Sequence, residues 1–291
     1  MGFDTPQPEL KKYLEWTTSG NIQLPDFQRE YKWDDERIRS LLVTVLKGHP
    51  LGAVMLLETG NKNVRFKPRP LEGANADPQD KPKWLLLDGQ QRLTSLTQAL
   101  NGDGVVFTKD DRGKLLERRY FIDIPMALEG EDRLDEAVVS LPAEGIIRTN
   151  FGRDVVLDVS TREKQLEKRF FPANYIFSQE ATPWLIEMGD NDLFSRFHAE
   201  VIVPVQSYAI PAIELDDETS KSAVTTVFEK VNTGGLTLTV FELLTATFAG
   251  DADYLAAHGD DFRLNEDWEE TENLFAAHDV LRGVRAPRFC R

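Results

Sequence analysis

Trp84 to Leu100 reads WLLLDGQQRLTSLTQAL, and the reading of the whole chain turns on this stretch. The apolar run Trp84–Leu87 has the length of a short buried strand, Asp88-Gly89 marks a sharp turn, and Leu93, Leu96 and Leu100 fall on one face of a helix. Where a strand feeds directly into a helix, the first backbone N–H groups lack intrahelical partners and carry partial positive charge, which suits a phosphate. Gly89 lets the backbone approach a ligand, and Gln90, Gln91 and Arg92 place amide and guanidinium donors in the first turn. An architectural reading uses the same residues: Asp88 followed three positions later by Gln91 has the spacing of a capping box. The two readings are compatible, and the density of polar groups behind the glycine favours a ligand.

Upstream, Leu10, Tyr13 and Leu14 give residues 5–16 the pattern of a short amphipathic helix. Ile22 to Trp33 (IQLPDFQREYKW) is extended and interrupted by Pro25. In it Gln28, Arg29 and Lys32 alternate with Phe27, Tyr31 and Trp33, aromatics that either stack on a base or anchor a loop to the core. Asp34 is placed to cap a helix whose first turn is acidic and whose stripe is Ile38, Leu41, Leu42, Val45 and Leu46; Gly48 and Pro50 end it. Leu51–Leu57 then reads as a strand, and a polar, proline-rich stretch runs to Lys83. This alternation predicts an α/β to α+β fold.

Downstream, Val105–Phe107 and Tyr120–Ile124 read as strands, Thr161–Arg169 as a charged helix, Phe170-Phe171-Pro172 as a core anchor and Asp192–Glu200 as a helix. Val201–Ile210 reads as a strand broken by Pro204. From Thr219 the pattern turns helical, with Asn232-Thr233-Gly234-Gly235 either a helix–helix turn or a set of N–H donors beside a ligand. The chain therefore divides into an α/β part, 1–213, and a helical segment, 214–291, which ends as though cut from something longer.

The 291 residues are 41% hydrophobic and 10% aromatic, the composition of a folded globular protein. The net charge of −15 falls wholly beyond residue 100, the first hundred residues being near neutral; it disfavours non-specific DNA binding and requires a local patch or a partner for any contact with nucleic acid. No apolar run approaches the roughly 20 residues that span a bilayer. The N-terminus lacks a signal-peptide pattern, so a cytoplasmic location is expected. A lone cysteine, Cys290, excludes an intrachain disulfide, and His49, His198, His258 and His278 show no zinc-binding spacing. Walker A and G-x-G-x-x-G sequences are absent, and Ser95 has no histidine near it in sequence. Asp88 alone is placed to hold Mg²⁺ beside phosphates. Spacing by itself supports an anion or nucleotide pocket.

Three motifs together resemble a known family: PDFQREYKW at 25–33, LLDGQQRLTSL at 86–96 and VFEKVNTGGLTLTVFELLTA at 227–246. In order and spacing they look like the N-terminal domain of GmrSD-type modification-dependent restriction enzymes, DGQQR being the most specific. The resemblance implies a ParB/sulfiredoxin-like core followed by helices, binding and hydrolysis of a nucleoside triphosphate, and licensing of cleavage of phage or modified DNA. It makes Asp88, Gln90, Gln91 and Arg92 the catalytic set. Gln28, Arg29 and Gly89 would join them in the nucleotide pocket, with Asn232, Thr233, Gly234 and Gly235 closing it. Relatives often continue into an HNH nuclease domain with a metal-binding histidine. That domain is not in this sequence, so DNA cleavage is expected to need a nuclease partner or further domain.

The leading expectation is a Mg²⁺-dependent NTP-hydrolysing regulatory domain of a bacterial anti-phage defence system, compatible with an oligomer and with no membrane partner. Arg92 and the amides of residues 89–91 would hold phosphates, Asp88 would orient a metal or water, and Gln90 or Gln91 would position the attacking water. Two alternatives compete: a ParB-like DNA nuclease, disfavoured by the charge, and a non-catalytic sensor of modified DNA or a partner protein that uses Phe27, Tyr31 and Trp33.

Overall fold

The computed structural model describes residues 3–220, apart from 27, 29, 61–65, 78–79, 111 and 151–152, and then 223–224, 257, 259 and 264–278. The first elements are β1 (Phe3–Asp4), α1 (Leu10–Thr18), β2 (Ile22–Pro25), α2 (Asp35–Leu46), β3 (Val54–Glu58), β4 (Pro68–Arg69), β5 (Trp84–Asp88) and α3 (Gln90–Leu100). Then come β6 (Val106–Lys109), β7 (Leu115–Asp123), α4 (Ile124–Ala127), α5 (Leu134–Ala137), β8 (Val138–Pro142), β9 (Ile146–Thr149) and β10 (Asp154–Asp158). The series continues with α6 (Arg162–Lys168), β11 (Phe170–Pro172), α7 (Ala181–Glu187), α8 (Asn191–Phe197), α9 (Val203–Gln206) and β12 (Ala212–Leu215). The mixed α+β class expected from the alternation of patterns is the one observed.

The main sheet has the order β1-β12-β3-β5-β2-β4. It is mixed, with β12 parallel to β3 and β2 parallel to β5, while β3 and β5 run antiparallel. Trp84 to Leu87 are buried without alternation, as a strand covered on both faces requires. Met55 pairs with Asp88 but Leu56 pairs with Leu86, so Leu87 is an extra residue and β5 bulges just before its end.

A second sheet is built on β7, which pairs with β6, β8 and β11, and the β9–β10 hairpin shares a small core of Phe121, Leu141 and Val159 with its outer side. The main core joins Leu10, Tyr13 and Leu14 of α1, the apolar stripe of α2, the β3 and β5 strands and the aromatic group Phe171, Trp184 and Phe197.

Helix α2 forms as its sequence dictates: the Asp34 side chain accepts from the Arg37 N–H at 2.9 Å, and Ile38, Leu41, Leu42 and Val45 are buried. Helix α3 is buried nearly all round. Leu93, Leu96 and Leu100 enter the core, each contributing roughly 1.5–3 kcal/mol of burial. Its polar flanks are covered too, which the leucine stripe alone does not announce.

Val201–Ile210 is not a strand. A π turn over His198–Ile202 runs from α8 into α9, with Val201, Ile202 and Val205 buried. Pro204 has no N–H to donate, and the ladder widens just before it. The strand of this region lies later, at β12, and runs across residue 213, where the division of the chain had been expected. The helical pattern between Thr219 and Glu242 lies almost wholly outside the described residues, and a helix is described over Leu264–Ala276.

Candidate functional site

The junction of β5 and α3 is made by Gly89, the N-cap of α3, at φ +95°, a conformation that glycine adopts without strain. A Cβ there would also meet Val54 Cγ1 at 2.9 Å, so the glycine admits close packing of β3 against the junction. No side chain from the N-cap accepts from the first-turn amides, and no acidic residue lies in that turn. The capping box is not formed, because Gln91 reaches elsewhere.

Asp88 and Arg92, both expected to face a ligand, face each other. Arg92 Nη2 lies 3.0 Å from Asp88 Oδ2, linking the first turn of α3 to the end of β5. The same guanidinium donates to the carbonyl of Leu51 at 2.7 Å and to that of Ala53 at 2.9 Å. Arg92 thus braces the entry to β3 against the end of β5. Gly52, at φ +91°, gives it room: a Cβ there would meet Arg92 Nη1 at 2.8 Å. Three of the guanidinium N–H groups are spent, and Asp88 is electrostatically neutralised at the mouth of the helix.

Gln91 Oε1 accepts from the Lys32 N–H at 2.8 Å, and its Nε2 donates to the Glu30 carbonyl at 3.3 Å. Ser95 Oγ donates to the Gln91 carbonyl at 2.7 Å and lies 2.9 Å from the Tyr31 hydroxyl. A serine has one proton, so Tyr31 is the donor to Ser95. Burial pushes the Tyr31 phenol far above its ordinary value. Gln28, nearly buried, donates through Nε2 to the carbonyls of Leu86 at 2.6 Å and Leu87 at 3.0 Å. Successive carbonyls of a regular strand point to opposite sides, and one nitrogen reaches both here because of the bulge at Leu87. Arg69 in turn holds the Gln28 carbonyl at 3.0 Å. Gln90 is buried in the first turn of α3.

The structure therefore brings Gln28, Asp88, Gly89, Gln90, Gln91 and Arg92 to one junction. Arg29, Asn232, Thr233, Gly234 and Gly235 lie outside the described residues, as does Phe27. Tyr31 and Trp33 are part-buried and pack against the core. Ser95, set aside in the sequence as a triad serine, and Thr97 and Gln98, which spacing does not single out, continue the pattern along α3. Thr97 bonds Thr17 of α1 at 3.0 Å, and Gln98 donates to the Glu72 carbonyl at 2.8 Å while accepting from the Phe107 N–H at 2.9 Å. Their signal was the presence of small and amide side chains on all sides of one helix, which a solvated face seldom needs.

Over residues 10–249 the chain matches the family described as the GmrSD restriction endonuclease N-terminal domain. It belongs to that family. An uncharacterized protein of Methanocaldococcus jannaschii is 28% identical over 236 residues, covering 79% of this chain and 39% of its own length. The chain thus spans well under half of the curated relative it matches. The matched family is described as a domain of restriction endonucleases.

Among the described residues no group of three or more His, Cys, Asp or Glu side chains is placed to hold a metal. Among the described site residues at the junction, Asp88 alone carries a carboxylate. That fits a magnesium ion held chiefly by substrate phosphates and waters, and does not fit an all-protein cage. No described helix is long and apolar enough to cross a membrane.

Proposed function

We propose that the chain is a nucleotide-binding, NTP-hydrolysing regulatory domain of a DNA restriction system, acting in the cytoplasm. In this reading it governs cleavage of phage or modified DNA carried out by a nuclease partner or by a further domain of a longer protein. One observation carries the proposal: α3 opens at a glycine, with neither a capping side chain nor an acid in its first turn, directly behind a buried strand. Such a helix start favours the anionic end of a triphosphate.

The chain's own residues take the following parts. Backbone amides of the first turn of α3 receive phosphate oxygens. Arg92 keeps Asp88 at the mouth of the helix and offers its remaining N–H groups to the same oxygens. Asp88 is the residue that would hold magnesium, and a bound ion would supply charge neutralisation at the phosphates. Gln90 positions the attacking water. Gln28 fixes the end of β5, and the parts of Arg29 and Asn232–Gly235 rest on the resemblance of their motifs.

Calorimetry of the chain with ATP, GTP and CTP, each with Mg²⁺, tests this. At least one nucleotide is expected to bind, with phosphate released on incubation. Arg92→Lys, which keeps the charge but loses the fork, is expected to weaken binding about tenfold, or about 1.4 kcal/mol, with thermal unfolding followed in parallel to separate binding from folding. Absence of binding to all three nucleotides overturns the proposal. Binding without phosphate release selects the sensor over the hydrolase.

A further inference from the structure

Both ends of the Gln91 side-chain amide are committed. Its oxygen takes the Lys32 N–H and its nitrogen gives to the Glu30 carbonyl, so it clasps the backbone on either side of Tyr31. A primary amide is suited to this because it carries a donor and an acceptor in one rigid plane. Tyr31 itself is tied down by Ser95, whose proton returns to the Gln91 carbonyl, so the two anchors close on the same turn of α3. The upstream end of this segment is fixed by Gln28 on the two carbonyls of the bulge, and the downstream end by Thr108, whose hydroxyl donates to the Trp33 carbonyl at 2.6 Å. Residues 28 and 30–33 are thereby anchored at three places, one of them the first turn of α3.

We infer that Gln91 is a positioning residue of the site, whose amide holds residues 30–32 against the start of α3 and leaves contact with the ligand to its neighbours. The DGQQR motif then divides its labour: Asp88 and Gln90 serve the ligand, Gln91 serves the segment, and Arg92 serves the β3 entry as well as the helix mouth. In its activity readout the inference rests on the nucleotide reading above; in its structural readout it does not.

The test is backbone amide hydrogen exchange of the whole chain without ligand, followed by nucleotide titration. In the unaltered protein the Lys32 amide is expected to be protected. Gln91→Met, which keeps the bulk and removes both hydrogen bonds, is expected to speed exchange at Lys32 at least tenfold while the amides of β5 and α2 keep their protection. Gln91→Glu keeps an acceptor for Lys32 and loses the donor to Glu30, so exchange is expected to fall between the two. Tyr31→Phe releases the second anchor alone, and combining it with Gln91→Met is expected to change nucleotide affinity by less than the product of the single effects. Unchanged Lys32 exchange in Gln91→Met, or a pure loss of turnover with unaltered exchange and affinity, overturns the inference. Should Gln91→Met not fold, the Gln91→Glu and Tyr31→Phe exchange profiles decide in its place, and unaltered exchange through residues 30–32 in both overturns it. If no nucleotide binds the unaltered protein, the functional proposal fails while the exchange result still stands or falls by itself.

Discussion

Around α3 the longer polar side chains reach mainly for backbone: Gln28, Gln91, Arg92 and Gln98 end on carbonyls or amides of neighbouring segments, Arg92 on Asp88 as well. At the N-terminus of α2 the side chains reach for one another. Asp35 Oδ1 accepts from the Tyr120 hydroxyl at 2.7 Å and the Ser140 hydroxyl at 2.6 Å, with Arg118 Nε 3.4 Å from Oδ2. The second arrangement is a joint, fastening α2 to β7 and β8 through one carboxylate. Burial first, and then the nearby Asp35 charge, push the Tyr120 phenol well above its ordinary value, which keeps it a donor. The first arrangement is a set of clasps, each fixing the course of a loop. A joint concentrates its energy in one residue, whereas clasps distribute theirs and determine shape.

The largest effect expected from this contrast is on the joint. Asp35→Ala leaves two hydroxyls without their common acceptor and Arg118 without its ionic partner, and is expected to cost about 3 kcal/mol in urea unfolding. Arg92→Ala, the heaviest loss among the clasps, removes two carbonyl bonds and an ion pair and is expected to cost about 2 kcal/mol. If the two costs came in the reverse order, the distinction between joint and clasp would be broken. Tyr31→Phe removes one hydroxyl from Ser95 and is expected to cost about 1 kcal/mol. The His49–Glu131 pair, at 3.0 Å but with both side chains more than half exposed, sets the lower bound: His49→Ala should change stability by less than about 0.5 kcal/mol.

Acid sharpens the same comparison at the surface. Lys164, together with the hydroxyl and N–H of Ser160, holds the Asp158 carboxyl well below its ordinary 3.8. A carboxylate depressed in the folded state contributes stability that is present above the unfolded value and lost as pH falls through the folded one. Urea midpoints measured downward through the carboxylate range should therefore decline less steeply in Asp158→Asn than in the unaltered chain.

Much of the fold was legible because periodicity reports burial. The strand–turn–helix at 84–100, the stripe of α2 with its Asp34 cap and the charged helix after Thr161 each declared themselves through spacing. Val201–Ile210 was misread because β-branched residues around a proline look alike in a broken strand and in a helix whose ladder has widened. The candidate site was legible in position more than in role. Gln91 and Arg92 lie in the first turn of α3 as spacing places them, and Asp88 is within local reach of Arg92, but their other partners are the backbone of residues 30 and 32 and of residues 51 and 53, and no local pattern names a partner so far away in sequence. Nor does any letter in WLLLD mark Leu87 as the supernumerary residue.

That extra leucine has a consequence for what the segment can tolerate. Side chains alternate sides along a strand, so a single residue out of step is a change of parity for everything that follows. Removing any one of Trp84 to Leu87 would leave a stretch still able to pair with β3, yet it would turn Asp88 and the whole departing helix about the strand axis. In this stretch a swap of one apolar side chain for another is a local repair, whereas a shortening by one letter rewrites the outlook of the entire junction.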